Sequence, residues 1–254
     1  MFDHVTIRVS DLDESRRFYG TALALLGFGE PATDGHFYEW NDLSISQARD
    51  DRPVTHNLHV GLAARTHELV DEFWRKLTQT GFRDDGAPGP REQYRPGYYG
   101  SFVLDHDGNS VEAVYKDNLR KDGGCIDHLW LRVRDVNASV AFYETIAPVL
   151  GFRLRLREHE WAHFRGGVAS FTLTSPASDW SAARPLTENV HLAFAAPDTR
   201  TVDEFHSVAL AAGYRDNGAP GERPEYHPGY YGAYVLDPDG NNVEVVFHDR
   251  PTGG

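Results

Sequence analysis

The sequence contains a single cysteine, Cys125, among its 254 residues. No disulfide can form within the chain, and zinc sites built mainly from thiolates are excluded as well. A bound metal ion would therefore need histidine, aspartate or glutamate as its ligands.

Long apolar runs and a positive net charge are also missing. No apolar run approaches the roughly 18 residues needed to span a bilayer, and no basic segment followed by an apolar one opens the chain. The formal net charge of −13 disfavours nucleic acid or an anionic membrane as a partner. We expect a cytoplasmic protein with a small-molecule partner, and whether two chains pair into a homodimer stays open.

What the sequence does have is an internal repeat. Residues 83–115 align without a gap to residues 215–247, and 22 of the 33 positions are identical. The repeat predicts two units of ordinary domain size, residues 1–120 and 125–250, joined by a short glycine-containing segment at 121–124.

Both copies show the same order of strand and helix patterns. Alternating apolar residues at 5–9 and 129–133 predict a strand that opens each copy, and a run at helical spacing follows, with Ser10 and Asp13 resembling a capping box. Each copy is thus predicted to contain two strand-helix-strand-strand-strand modules. The individual predictions are strands at 37–40, 43–47, 57–62, 161–164, 168–174 and 190–196, helices at 66–80 and 198–212, and hairpins at 99–115 and around 237–240.

Each copy also places two histidines and one glutamate at matching points: His4, His59, Glu112 and His128, His191, Glu244. Strand alternation directs each of them away from the aliphatic side, so the side chains can share one concavity. A carboxylate in an aliphatic strand is costly to bury unless a cation or hydrogen bonds compensate. Two imidazoles and one carboxylate suit Fe(II) first, and also Mn, Zn, Ni or Co. The pattern leaves open whether a site forms within one copy or across both, for example from His4, His191 and Glu244.

The order of these residues resembles the vicinal oxygen chelate superfamily, which includes glyoxalase I, fosfomycin-resistance enzymes, bleomycin-binding proteins and extradiol dioxygenases. The resemblance covers both copies and includes the segment Asp-Pro-Asp-Gly-Asn-Asn-Val-Glu that ends at Glu244. It implies an α+β fold of two tandem vicinal oxygen chelate domains, each of paired βαβββ modules that form cupped, curved mixed sheets with flanking helices. It also implies a divalent metal to which substrate oxygens chelate.

The resemblance points first to a ring-cleaving dioxygenase. The second copy fits the extradiol pattern with His227, Tyr234 and Glu244. In that reading Fe(II) is held by His128, His191 and Glu244, while His227 and Tyr234 hydrogen-bond the bound oxygens or move protons. An additional acid-base histidine has no counterpart except His159 or His163.

Three alternatives remain. A glyoxalase-like lyase or isomerase is disfavoured because segments 43–47 and 169–174 lack the second glutamate of such sites. The others are a fosfomycin-type resistance transferase and a metal-free, drug-sequestering protein of the bleomycin-binding type.

The remaining candidates are expected to bind substrate. Trp130 and Arg132 share the strand face of His128, and Arg132 can either bind an acidic substrate group or counter Glu244. Two Pro-Gly-Tyr-Tyr-Gly loops add paired tyrosines, of which alternation directs one of each pair away from the pocket. The candidates other than Trp130 and Arg132 are Arg8, Tyr98, Tyr99, Tyr230 and Tyr231.

Overall fold

The computed structural model describes residues 1–116, 123–167, 169–178 and 184–249. Residues 121 and 122 of the predicted junction, and Val168 at the predicted start of a strand, lie outside this described part. Four βαβββ modules follow one another along the chain, as the two-copy pattern predicted.

The modules have the following bounds. The first consists of β1 (Phe2–Val9), α1 (Leu12–Leu25), β2 (Ala32–Thr33), β3 (Phe37–Trp40) and β4 (Leu43–Gln47), and the second of β5 (His59–Ala63), α2 (His67–Gln79), β6 (Arg83–Pro90), β7 (Tyr99–Leu104) and β8 (Ser110–Tyr115). The third consists of β9 (Ile126–Arg132), α3 (Val136–Leu150), β10 (Arg153–Arg157), β11 (Trp161–Gly166) and β12 (Ala169–Thr174), and the fourth of β13 (His191–Ala195), α4 (Thr199–Ala211), β14 (Arg215–Glu222), β15 (Tyr230–Leu236) and β16 (Asn242–His248).

The modules combine into two mixed, eight-stranded sheets. Sheet 1/4 joins the first and fourth modules in the order β14-β15-β16-β13-β1-β4-β3-β2, and sheet 2/3 joins the second and third in the order β10-β11-β12-β9-β5-β8-β7-β6. The modules meet through the antiparallel pairs β1–β13 and β5–β9. Each sequence repeat therefore supplies one module to each sheet.

The aliphatic side of every opening strand packs against the helices. Val5, Ile7 and Val9 are completely buried, and so are their counterparts Leu129 and Leu131. A cluster of phenylalanines, in which the rings of Phe164 and Phe171 stack at 5.0 Å, continues this core. Because side chains alternate along a strand, the other face of each sheet is left for polar side chains.

The helices begin at acidic or threonine caps, and α1 differs from the prediction. Asp11, not Ser10, is its N-cap, and the Asp11 carboxylate accepts a hydrogen bond from Glu14 N at 2.9 Å. A carboxylate interacts favourably with the positive end of a helix, while Ser10 instead bonds Asp107 in the hairpin turn of the second module. None of the described helices is long and apolar enough to cross a bilayer.

The strands that the sequence pattern did not locate are the four sheet edges: β2, β6, β10 and β14. The segments of β6 and β14 contain glycine and proline, which are depleted in strands. Both also pair with irregular register. An edge strand with little buried surface carries no clear alternation, so the local pattern does not reveal it.

The acids at the hairpin turns organise backbone, as expected. Asp237 Oδ1 accepts from the backbone N–H of Asp239 at 2.9 Å and of Asn241 at 2.8 Å. Burial nevertheless raises the pKa of Asp237 to about 6. Below that pH the folded protein holds a proton on a carboxyl group that is ionised in the unfolded chain above about pH 4.

Asp237 is therefore expected to make stability depend on pH. Its raised pKa contributes stability that is present in full below the unfolded pKa and is lost as pH rises from about 4 through 6, amounting to about 3 kcal/mol in total. Urea unfolding from pH 4 to pH 7 should show the free energy of unfolding of wild type falling relative to Asp237→Asn, which cannot titrate. A difference that stays constant across this range would contradict the prediction.

Candidate metal centres

The six predicted metal ligands gather into two groups, and each group draws on both repeats. Site 2/3 consists of His59, Glu112 and His128, and site 1/4 of His4, His191 and Glu244. Our grouping of His128 with His191 and Glu244 is therefore wrong, because β9 pairs with β5 and not with β13. The cross-repeat arrangement that the sequence left open is the one the structure has.

The donor atoms of site 2/3 lie close together. His59 Nε2 is 3.1 Å and His128 Nε2 is 3.3 Å from Glu112 Oε2, and the two Nε2 atoms are 3.3 Å apart. Two ligands at about 2.1 Å from one ion and at right angles to each other are separated by about 3.0 Å. The spacing thus fits three ligands on one face of a single ion.

Site 1/4 repeats this geometry in the other sheet. His191 Nε2 lies 3.0 Å from Glu244 Oε2 and 3.1 Å from His4 Nε2. The distance from His4 Nε2 to Glu244 Oε2 is longer, 3.7 Å. The same three residue types therefore converge at both sites.

Hydrogen bonds on the far side of each ring orient the imidazoles of site 2/3. His128 Nδ1 donates to Asp127 Oδ1 at 2.8 Å. His59 Nδ1 lies 3.2 Å from Ser110 Oγ and donates to it, because the Ser110 hydroxyl itself donates to Asp85 at 2.7 Å. In neutral imidazoles both Nε2 lone pairs then point at the Glu112 oxygen with no proton between them. Three electron-rich atoms in this arrangement fit a divalent cation.

The pKa values indicate that protons on the histidines can balance the negative charge of the buried glutamate. Burial raises the pKa of Glu112, but when the Nε2 atoms of His128 and His59 carry a proton, their hydrogen bonds outweigh burial and lower this pKa to about 2. Burial lowers the pKa of His59, and of His191 to about 4. For His128, burial also acts to lower the pKa, but the contacts with Asp127 and Glu112 raise it. Each site thus carries an ionised carboxylate that needs one positive charge, and a metal ion would displace a proton there.

A chain of hydrogen bonds leads away from His4 in site 1/4. Asp3 Oδ1 bonds His4 Nδ1 at 2.8 Å and His248 Nε2 at 3.1 Å, and His248 Nδ1 lies 2.8 Å from His227 Nε2. The other ring nitrogen of His227 contacts Pro228 O at 2.8 Å. Both nitrogens of His227 are therefore engaged. The prediction that His227 contacts oxygens bound beside Glu244 is wrong, because its ring bonds His248 and Pro228 instead.

Asp3 and Asp127 lie beside the candidate ligands, a position that alternation alone does not predict. Each directly precedes a ligand histidine, so a regular strand would direct it to the opposite face. The register shifts at both positions, between Phe2 and His4 and beside Gly61, and such a β-bulge brings consecutive side chains to the same face. The available signal was the acid before the first histidine in both copies.

The Pro-Gly-Tyr-Tyr-Gly loops are shaped around the two glutamates. Tyr98 OH donates to Glu112 Oε1 at 2.7 Å, and Tyr230 OH donates to Glu244 Oε1. A Cβ at Gly100 would lie 2.4 Å from Glu112 Oε1, so only glycine leaves room for the carboxylate.

The second tyrosine of each pair lies on the other face of the sheet. Tyr99 OH donates to Asp71 and Tyr231 OH donates to Asp203, both at 2.8 Å. The structure therefore does not bring Tyr99 and Tyr231 to the sites. Their predicted role in substrate binding is wrong, because neighbouring side chains of a strand point to opposite faces.

A cavity of about 560 Å³ opens onto site 2/3. Tyr98, Trp130, Arg132 and His163 all line it, whereas His159 is exposed. Burial lowers the pKa of His163 to about 4, so this imidazole is neutral near pH 7. Although the whole chain is acidic, the wall is rich in cations: Arg91, Arg95, Lys116, Arg132, Arg165 and Arg184.

The two other predicted residues lie at site 1/4. The Tyr234 ring centroid is 6.5 Å from that of His191, and its buried hydroxyl faces Glu244 without a well-formed hydrogen bond. Arg8 donates to Asn189 O at 3.1 Å.

Comparison with known proteins assigns the family. The family model of the Glyoxalase/Bleomycin resistance protein/Dioxygenase superfamily matches residues 1–113 and 125–245. The chain belongs to this superfamily. The uncharacterized protein YqjT of Bacillus subtilis is 33% identical over 122 residues, which cover 44% of this chain and 95% of that protein.

Solved structures of the superfamily share the fold over almost the whole chain. Glyoxalase I from Zea mays superposes with a TM-score of 0.65 at 17% identity, covering 97% of this chain and 92% of that one. A provisionally assigned dioxygenase from Bacillus subtilis gives a TM-score of 0.64 at 12% identity, covering 98% and 85%. At these identities the likeness describes the fold of two tandem glyoxalase-type domains and not the reaction.

The crossing of ligands between repeats can be tested by metal counting. We expect two divalent ions per chain, because both donor sets fit an ion. The double variant His128→Ala/Glu112→Gln should lose one ion, since both residues belong to site 2/3, and His128→Ala/Glu244→Gln should lose both. Mass spectrometric metal analysis of protein without a His tag measures this, and the reverse pattern would mean that each site forms within one repeat.

Gly61 should be needed at site 2/3 alone. A Cβ at Gly61 would lie 2.3 Å from Cε1 of His128, whereas its counterpart beside His4 is Ala193. Gly61→Ala is expected to weaken metal binding at site 2/3 by about 10-fold or more, the usual loss when ligand orientation is disturbed. Competition with a chromogenic chelator would measure the affinity, and Ala193→Gly is the matched control, with little effect expected.

Proposed function

We propose that the chain is a divalent-metal enzyme that binds a small oxygenated substrate through two oxygens, and that its reaction is extradiol-type ring cleavage of a catechol. Site 2/3 is the proposed catalytic centre. The observation that carries this proposal is the set of two Nε2 atoms and one carboxylate oxygen at the wall of a cavity of about 560 Å³.

The number of ligands favours oxygenation over a glyoxalase-type reaction. Among the described residues each metal group has three members. The strand beside His128 contributes Ser170 and Thr172 to the cavity, where a glyoxalase-type site would have a glutamate. Two histidines and one carboxylate leave coordination positions for two substrate oxygens and for O2, the arrangement typical of non-haem Fe(II) oxygenases. Fe(II) is therefore the first choice, with Mn, Zn, Ni or Co also suited to the donors.

The ion would supply Lewis acidity toward the substrate oxygens and a place for O2. In our proposal the chain's own contribution begins with His163, which lines the cavity and accepts a hydroxyl proton of the catechol. Thr172 holds the His163 ring through a contact of 3.0 Å to Nδ1. Phe102 and Trp130 provide aromatic walls that exclude water. Both atoms of O2 end in the ring-opened product, so the reaction requires no separate reductant.

Site 1/4 has the same donors in different surroundings. Asn242 bonds His191 Nδ1, and Asn217 bonds Asn242. These two asparagines take the places of Ser110 and Asp85 at site 2/3. Tyr234, with its buried hydroxyl, takes the place of Phe102, and in our proposal it donates to an oxygen of a ligand bound there.

One alternative reaction is favoured by a specific observation. His163, on the cavity wall, would also serve as the base of a glyoxalase-like lyase or isomerase, which needs no oxygen. Metal-free drug sequestration has less support, because the buried carboxylate and the two imidazoles are arranged for an ion rather than for stacking.

Oxygen uptake on a panel of catechols should identify the reaction. With Fe(II) the protein is expected to consume O2, and His163→Gln should lower kcat by about 10²-fold or more, with unchanged metal content, because a proton acceptor is lost. His159→Gln, which changes an exposed imidazole four residues away, is the matched control. Turnover with Mn or Ni in the absence of oxygen would overturn the dioxygenase assignment in favour of the lyase or isomerase.

A further inference from the structure

Arg132 is a buried cation that has no acidic partner among residues 1–116, 123–167, 169–178 and 184–249. Its side chain lines the cavity of site 2/3, yet the residue is only 4% exposed. Among the residues that the structure describes, Nε has no hydrogen-bond partner, and Nη1 lies 3.5 Å from Asn57 O, the limit of a hydrogen bond. Within the described part of the chain no carboxylate lies at ion-pair distance from this guanidinium.

The acid that acts on Arg132 through its charge already has other partners. Asp85 acts on Arg132 through its charge, but its carboxylate is paired with Arg184 and accepts the Ser110 hydroxyl. Arg184 adds a second positive charge beside the first. A buried guanidinium without a counterion is costly for the folded protein, so its presence favours a role in binding an anion.

Strand β9 places three side chains of the cavity in a line. His128, Trp130 and Arg132 lie at alternate positions of β9, so they share one face of the sheet at intervals of about 7 Å. Along this face a metal ligand is followed by an aromatic ring and then by the unpaired guanidinium. A molecule that fits would have metal-binding oxygens at one end, a flat apolar body, and an anionic group at the other end.

We infer that the substrate of site 2/3 is a small aromatic acid, whose chelating oxygens face His59, Glu112 and His128 and whose carboxylate pairs with Arg132. This inference rests on the proposed function for the chelating end, while the carboxylate subsite stands on Arg132 alone. A planar carboxylate matches the fork of a guanidinium in a bidentate pair, which a lysine cannot reproduce. The surrounding arginines also make the cavity attractive to an anion that the acidic surface of the chain would otherwise repel.

Calorimetric titration of the zinc-loaded chain under argon tests the inference without any turnover. The probes are the catechol acid dihydrocaffeate, its neutral methyl ester, and the corresponding catechol phosphonate. Wild type is expected to bind the acid at least about 10-fold more tightly than the ester, and Arg132→Met to reduce this ratio to about one. Arg132→Lys should keep part of the preference, because it retains the charge and loses the fork.

Two controls separate this role from a structural one. Arg134→Met removes a positive charge two residues farther along the chain from an exposed position, and it should leave the ratio unchanged. The thermal midpoint of Arg132→Met without ligand is expected to equal or exceed that of wild type, because an unpaired buried charge is gone. A lower midpoint would indicate that Arg132 serves the fold and would overturn the inference.

Three binding outcomes would also overturn it: equal affinity of wild type for acid and ester, an undiminished preference in Arg132→Met, or tighter binding of the phosphonate than of the carboxylate. Failure of the proposed reaction has a different signature, because it would leave the preference for acids and its dependence on Arg132 intact while no catechol consumes oxygen.

Discussion

The antiparallel pairing of β5 with β9, and of β1 with β13, is the interaction on which both candidate sites depend. In each repeat the first ligand histidine lies on the opening strand, whereas the second histidine and the glutamate lie on strands of the following module. Pairing sets the opening strand of one repeat against the second module of the other. Each candidate site takes its donors from both repeats, so metal binding there would be coupled to the association of the two halves.

The two sites share their donors and differ in the residues behind them. Lys116 forms an ion pair with Asp127 at site 2/3. At the equivalent position of site 1/4, His248 pairs with Asp3. Trp130 is matched by Thr6, which bonds Ser44 instead of offering an aromatic wall. Groups of this kind set the orientation and basicity of ligands. Two ions held by the same three residue types would therefore experience different fields.

Charge is distributed unevenly between the surface and the cavity. The chain has a formal charge of −13, yet its cavity wall carries six of its arginines and lysines against three acids. Two of those acids, Glu112 and Asp127, are engaged with the histidines, and the third, Asp85, is engaged with Arg184. The charge that the cavity wall presents to a ligand is therefore positive. The buried position of Arg132 makes that charge strong, because little water screens it.

The sequence by itself determined the modules, the six candidate metal ligands and the turns at Asp105 and Asp237. Each follows from a local property: alternation along a strand, helical spacing, or the turn chemistry of Asp-Gly. Only the tertiary structure decided that His128 joins His59 and Glu112, that Asp3 and Asp127 stand behind the ligands, and that His227 bonds His248. The reason is physical. Strands are joined by backbone groups that are the same in every residue, so the pattern along a strand shows which face is buried but not which strand lies beside it. A β-bulge likewise arises from the register between two strands and leaves little trace in either one.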